Sequence, residues 1–343
     1  MNARSFTRPQ SRTRRILFAL AATTLLVGPL AACSGDDADA GGGTDGDSVT
    51  GASVAIAGPQ SGDPYYVQVA CGAQAAGKKL GMDVGELQAP QNQNQAQLTT
   101  IVQNVLTSAP DALIYTPADP EAGGIPIQTA REDGVTVIDV DAQLADENLY
   151  DSFVASNHYE GAKEITAYLA DLIGGEGQIA AIGSLATNPI TQARIKGFED
   201  ALKDYPDIEV VSISYPEIAA DVIQANAAST LVKYPDLKAI YTTNYLNSTG
   251  AAVALRNAGV VGDVKMVSWD AGAANVELLQ EGVLQATVAQ QPYAMGELAI
   301  EQIAKKLNGE EASKTVDAPV EILTSEDVDS PEGQKLWYKT ECN

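Results

Sequence analysis

From Gly51 to about residue 290, short β-branched or apolar runs alternate with longer amphipathic ones. That alternation restricts the fold more than any other feature. SVAIAGP from Ser53, MDVGELQ, DALIYTP from Asp111, VTVIDVD and SFVAS from Ser152 have the length and composition of strands. QIAAIGS, IEVVSIS, LKAIYTTN, VKMVSWD and LQATVAQ bring the count to ten. Between them stand helical segments: PYYVQVACGAQAAGKKLG, the stretches around Gln95–Ser108 and Pro120–Asp133, and His158–Ile173, which places Ile165, Leu169 and Leu172 on one face. Regular strand–helix alternation implies parallel sheets covered by helices on both faces. Ten strands divide better into two sheets than one. SFVASN follows a strand without a full helix between, so it is the expected first crossover.

The residues before Gly51 do not share this pattern. Arg4, Arg8, Arg12, Arg14 and Arg15, with no acid, precede Ile16; the largely apolar run Ile16–Leu30 is only 15 residues long. A transmembrane helix needs about 20, so residues 1–32 are expected to be a secretory signal peptide. Its exit, Leu30-Ala31-Ala32-Cys33-Ser34-Gly35, resembles the lipobox of bacterial lipoproteins, in which the cysteine becomes the lipidated first residue of the mature chain. The alternative is an ordinary signal peptide with an incidental cysteine. Ser34–Ser48 holds five aspartates and five glycines, too little apolar side chain to pack, so residues 33–50 are expected to be a lipidated Cys33 and a flexible tether. Export would put the two other cysteines, Cys71 and Cys342, in an oxidising compartment. There they are expected to form a disulfide tying the first helix to the carboxyl terminus, with two free thiols as the alternative.

Without the five signal arginines, 16 basic residues face 45 acidic ones, a net charge of −29. That argues against nucleic acid as a partner, which needs a basic footprint. It argues equally against electrostatic attachment to anionic lipid, leaving the lipid anchor as the only membrane contact. The single histidine, His158, stands at an expected helix start and reads as a solvated end-of-helix residue rather than a general base. Gly72–Lys79, GAQAAGKK, nearly matches a phosphate-cradling loop. It has Lys79 where the hydroxyl residue belongs, and it lies inside an alanine-rich helix, so it reads as helix surface with small residues packing on the sheet. DADAGG from Asp37 begins like a calcium loop but closes on Ser48 instead of a carboxylate. With no metal-ligand spacing and no Gly-x-Ser-x-Gly elbow, neither enzyme activity, cofactor nor metal is expected.

In open parallel sheets, ligands bind beyond the carboxyl ends of the strands. The residues there are polar: Asp63 in the first loop, then Asp141, Asn157, Asn244, Asp270 and Gln290. Carboxylates and amides each span two adjacent hydroxyls, and aromatic faces cover the C–H faces of a sugar ring. Asp and Asn also serve as turn and cap residues, so the signal is their recurrence after strand upon strand.

Over Ser53 to Leu323 the chain resembles the type I solute-binding proteins of the ribose/galactose class, the extracellular receptors of sugar ABC importers. GDPYY stands in place of the family's Asn-Pro-aromatic-aromatic loop, and VIDVDAQ, ASN, QARIKGF, YTTN, VSWDAG and ATVAQQP follow in order. The resemblance implies two Rossmann-like lobes with parallel sheets joined by a three-crossover hinge, the type I periplasmic binding protein fold. The first lobe would comprise residues 51–155 plus about 291–318, and the second 156–290 plus about 319–343 with the tail. It also implies a ligand set of Asp63, Tyr65, Tyr66, Asp141, Asn157, Gln192, Asn244, Asp270 and Gln290. In that set the tyrosines would stack on the ligand, and Asp141 and Asp270 would accept from hydroxyls. Ribose-type members commonly carry arginines where this chain has Ala142 and Gln192, and Arg194, two residues along, reads as structural. Three carboxylates without those cations point to a polyol, an uncommon hexose or an amine-bearing molecule. The implied role is that of a lipid-anchored monomer on the extracytoplasmic face of the membrane, closing its lobes on a small sugar or polyol and delivering it to a permease. A sensor lipoprotein signalling to a membrane kinase is the alternative.

Overall fold

The computed structural model describes residues 49–342, so the arginine-rich start, the apolar run, Cys33 and nearly all of the tether lie outside the described residues. One sheet contains β1 (Ser53–Ala57), β2 (Asp83–Gln88), β3 (Ala112–Tyr115), β4 (Thr136–Val140), β5 (Ser152–Ser156) and β11 (Thr315–Ala318). Its order is β11-β5-β4-β3-β1-β2, and every pairing is parallel. The other contains β6 (Glu176–Ile182), β7 (Asp207–Ser214), β8 (Leu237–Thr242), β9 (Lys265–Trp269), β10 (Ala286–Gln290) and β12 (Val320–Thr324). Its order is β12-β10-β9-β8-β6-β7, with β12 alone antiparallel. The two orders are one pattern used twice, so β4 and β9 occupy matching places, as do β5 and β10.

The ten expected strands are all present. β11 and β12 are additional; TVDA and VEILT are short, lie half-exposed at sheet edges, and lack an apolar run long enough to announce them. Central strands are covered on both faces: β3 and β4 are buried at every residue, as parallel sheets require. The opposite edges, β2 and β7, expose Asp83, Glu86, Asp207 and Glu209, charges that discourage addition of a further strand.

Helices α1 (Pro64–Leu80) and α9 (Pro292–Leu307) cover one face of the first sheet, and α2 (Gln95–Leu106) and α3 (Gly124–Glu132) the other. The second sheet lies between α4 (His158–Leu172) with α5 (Pro189–Ala201) and the group α6 (Ala220–Lys233), α7 (Tyr245–Ala258) and α8 (Ala273–Gln280). α3 starts later than its pattern suggests, because the Asp119 carboxylate accepts from the Glu121 and Ala122 amides and holds a turn before it. Small residues in α1 do pack closely, though not only on the sheet. A Cβ on Gly77 would strike Val84 of β2, whereas one on Gly72 would strike the Tyr293 carbonyl of α9, and one on Gly296 the Val69 carbonyl in return. α1 and α9 therefore meet backbone to backbone.

The chain passes between the sheets three times, each through one residue: Asn157 after β5, Gln291 after β10, and Pro319 between β11 and β12. The crossings are laced together. Asn157 Nδ2 donates to Asp317 at 3.0 Å and Gln291 Nε2 to Glu321 at 2.8 Å. Cys71 in α1 is joined to Cys342, their Cα atoms 5.3 Å apart. Among the described residues no helix is long and apolar enough to cross a membrane.

Candidate ligand-binding site

Asp141 directly follows β4 and Asp270 directly follows β9, the matching strands of the two sheets. Both adopt left-handed backbone, φ 67° and 78°, which Ala109 alone shares among the described non-glycine residues. Each donates its amide to the neighbouring strand, Asp141 to Val154 at 2.9 Å and Asp270 to Val288 at 2.8 Å. Short polar side chains tolerate this conformation best. Its recurrence at equivalent positions marks a turn built to deliver a carboxylate at the carboxyl end of each sheet, where strain and function commonly coincide.

The two carboxylates belong to one hydrogen-bonded chain. Tyr65 and Tyr66 open α1, behind Pro64 and the Asp63 cap, with their rings edge to face at 5.2 Å. Tyr65 donates its hydroxyl to Asp141 Oδ1 at 2.9 Å and Tyr66 donates to Oδ2 at 3.1 Å. The Tyr65 oxygen also lies 3.3 Å from Gln290 Oε1, and Gln290 donates through Nε2 to Asp270 Oδ1 at 2.7 Å. Tyr66, Asp141, Tyr65, Gln290 and Asp270 thus run in sequence from the first sheet to the second. The hydroxyls of the two tyrosines expected to stack on ligand are engaged with Asp141.

The other candidates are caps and struts. Asp63, Asn157 and Asn244 are the amino-terminal caps of α1, α4 and α7, accepting from Tyr65, Glu160 and Asn247 amides at 3.0, 3.1 and 3.0 Å. Such caps contribute about 1 kcal/mol each. Asn157 gives one amide donor to Asp317 at the third crossing, and Asn244 gives one to Ser184. Gln192 is exposed on α5 and bonds the Ala186 carbonyl at 2.9 Å; it shares no hydrogen bond with the other candidates.

Charge in the cluster is predominantly acidic. Burial pushes Asp141 up to about 6, offset by the two tyrosine hydrogen bonds and by Arg194, and reinforced by Asp270. Asp63 is also pushed up, by burial and then by Asp270, against the Tyr65 amide bond. Burial is likewise the main reason the Tyr65 and Tyr66 hydroxyls resist ionisation, with Asp141 next. The pKa of the Tyr245 hydroxyl is raised by burial and then by Asp63 and Asp270.

Sequence reasoning missed part of the surround. Arg194 is buried; its guanidinium lies 3.8 Å from the Trp269 ring centroid and donates to the Thr243 carbonyl at 2.5 Å. That contact braces the turn leading to Asn244. His158 is not the solvated helix end expected of it: its ring lies 5.6 Å from that of Trp269 and its Nδ1 3.3 Å from Arg194. Burial, and then the adjacent guanidinium, push its pKa well down, so the imidazole stays neutral. Tyr338, from the tail, rests edge-on against Tyr65 at 5.6 Å and accepts from the Gln290 amide at 3.2 Å. Only the aromatic pair in WYKTEC could have drawn attention to it.

Two depressions elsewhere differ in kind. One of about 640 Å³ lies at the amino ends of the second sheet's strands, lined by Glu176, Asp207, Lys238 and Lys265 among others. Another of about 450 Å³ is apolar and lies between α6 and α7. Neither is at the carboxyl ends, where doubly wound sheets take their ligands. No group of metal-ligating side chains occurs among the described residues.

Two parallel sheets crossed three times, with acids and amides from both meeting beyond the strand ends, define a two-lobed α/β binding protein. The family profile of the periplasmic binding protein domain matches residues 54–311, and the chain belongs to that family. It is 27% identical over 262 residues to a ribose import binding protein of Bacillus subtilis, covering 76% of this chain and 84% of that one. A D-ribose/D-allose-binding protein of Pseudomonas aeruginosa is 30% identical over 234 residues, 66% of this chain and 73% of that one. Among solved structures, an ABC transporter solute-binding protein of Agrobacterium vitis bound with α-D-tagatopyranose superposes with a TM-score of 0.75 at 22% identity, covering 84% of this chain and 99% of that one. The homologues are substrate-binding proteins of ABC importers, not enzymes.

Proposed function

We propose that this chain is the extracytoplasmic receptor of an ABC importer, capturing a small polyhydroxylated ligand, a sugar or polyol, and delivering it to a membrane permease. The observation that carries the reading is the chain of Tyr66, Asp141, Tyr65, Gln290 and Asp270 hydrogen bonds linking the two sheets. Carboxylates and an amide arranged this way suit paired hydroxyls, and ligand hydroxyls would replace the internal partners these groups now use. The lobes would be residues 51–156 plus about 292–318, and about 158–290 plus 320–342, since Ser156 ends β5 of the first sheet. A ligand touching both is bound best when they close, so it shifts the hinge equilibrium toward the form the permease would read. Lipid on Cys33 would hold the receptor, as a monomer, at the membrane, with the Asp/Gly tether giving it reach. Its similarity to a ribose import binding protein and a D-ribose/D-allose-binding protein favours an aldose such as ribose or allose.

One observation favours an amine on that ligand. Burial raises the pKa of Asp63 and, to about 6, that of Asp141, and Asp270 pushes both further up; an ammonium beside these acids would offset their mutual repulsion. A thermal-shift screen across pentoses, hexoses, polyols, amino sugars and polyamines separates the readings. At about 1,000 times its dissociation constant a ligand adds ~4 kcal/mol to the folded state. A hit among neutral sugars or polyols, lost in Asp270→Ala, supports the proposal. Hits confined to amines support the second reading, and tight binding of a sugar phosphate or sugar acid refutes both.

A further inference from the structure

Beyond the three crossings, the tail makes a fourth connection between the sheets. After the turn at Gly333–Leu336, Leu336, Trp337 and Tyr338 pack on the core of the second sheet, and Tyr338 packs on that of the first as well. The Tyr338 amide donates to the Ala271 carbonyl at 3.1 Å, one residue after Asp270. Its hydroxyl accepts from the Gln290 amide at 3.2 Å and its ring meets Tyr65 edge-on. The chain then runs onto α1, where Gln68 Nε2 donates to the Lys339 and Glu341 carbonyls at 3.1 and 3.2 Å and Cys342 is bonded to Cys71.

The hydrogen bonds and the ring contact of Tyr338 therefore fall on, or one residue away from, members of the hydrogen-bonded chain, and the segment that carries it is anchored to both sheets. We propose that residues 337–342 are a strap closed by the Cys71–Cys342 bond, and that Tyr338 is a positioning residue setting Tyr65, the Asp270 turn and Gln290 in their binding arrangement. The strap limits how far these three groups drift apart. Freeing it loosens the site while both cores stay intact. The affinity part of this inference rests on the proposed ligand-binding role; the structural part does not.

The test uses the purified full chain, oxidised and after treatment with a water-soluble trialkylphosphine. Two electrons from the phosphine break the S–S bond, two protons from water complete the thiols, and the phosphine leaves as its oxide. Cys342 is exposed, so the reagent has access. Amide hydrogen exchange is read at Tyr338 and Gln290 with β1 and β9 as internal references, and D-ribose and D-allose affinity by calorimetry. Reduction is expected to speed exchange at both amides about fivefold or more, the factor for one neutral hydrogen bond, with the reference strands unchanged, and to weaken sugar binding by a similar factor. Tyr338→Phe keeps the ring against Tyr65 and removes the hydroxyl; it is expected to deprotect the Gln290 amide while the Tyr338-position amide stays slow. Tyr338→Ala is expected to loosen both.

Unchanged exchange at both amides after reduction overturns the strap. An unchanged Gln290 amide in Tyr338→Phe overturns the positioning role, as does equal sugar affinity with the strap closed and freed. If neither sugar binds the oxidised protein, the reading of the ligand fails, and the exchange results alone decide the strap.

Discussion

Asp139 offers a quantitative check on how the first sheet is built. It lies in β4, fully buried, facing the side of the sheet that holds Tyr115, Leu144 and Tyr150. One carboxyl oxygen accepts from the Leu144 amide at 2.8 Å, fixing the loop that begins at Asp141, and the other has no partner. Burial pushes its pKa to about 8, against the Leu144 bond and the distant charge of Lys314. The unfolded carboxyl titrates near 3.9. Asp139 is therefore protonated in the folded protein at neutral pH and ionised in the unfolded one. Its favourable contribution is complete below about pH 4 and is lost progressively up to about pH 8. One pH unit corresponds to about 1.4 kcal/mol, so roughly 4 kcal/mol has been lost at pH 7.

Asp139→Asn keeps the acceptor for Leu144 and cannot ionise. It is expected to match the parent near pH 4 and to exceed it by about 1.4 kcal/mol more with each further unit, levelling near pH 8. Urea unfolding of both proteins at pH 5, 6, 7 and 8 measures the difference directly. Asp111 and Asp151, whose pKa values are lowered in the fold, act oppositely at acid pH, yet they are common to both proteins and cancel. A difference that stays constant across this range refutes the argument, because it would mean Asp139 is ionised in the folded state.

The turn at Asp270 is expected to separate stability from binding. Asp270→Gly relaxes the left-handed backbone and should unfold at higher urea than Asp270→Ala, by about 1 kcal/mol, while both lose any ligand-induced thermal shift. Gly296→Ala drives a Cβ into the Val69 carbonyl of α1 and is expected to lower stability by about 1–3 kcal/mol, visible in a thermal melt. If the ligand carries an amine, its affinity should rise from pH 5 to 7 as Asp141, near 6, ionises; calorimetry across that range would show no such rise for a neutral sugar.

Periodicity carried most of the architecture because parallel sheets impose it: strands buried on both faces, such as ALIY, read as continuous apolar runs, with TVIDV departing only at Thr136 and Asp139, and the helices between them need one apolar face. The same reasoning could not find β11 and β12, which are edge strands whose places are fixed by partners more than 150 residues away in the first sheet and by β10 in the second. At the site, residue type told where polarity gathers after strands but not what each group does there. Asp63, Asn157 and Asn244 satisfy helix termini, a local task that any Asp or Asn before a helix can perform. Asp141 and Asp270 differ because their side chains join the hydrogen-bonded chain of Tyr65, Tyr66 and Gln290, and because both stand in a backbone conformation the sequence does not display. Arg194, His158 and Trp269 were invisible as a group, since their stacking depends on α4, α5 and β9 being packed together. Tyr338 lay beyond reach for the same reason, carried to the crevice by a tail with no strand or helix pattern of its own. Where a long-range contact decides a residue's role, local pattern yields the candidate and only the packed chain yields the assignment. The matched turns after β4 and β9 show this most clearly, because one sheet order used twice has brought a carboxylate from each sheet into one hydrogen-bonded chain.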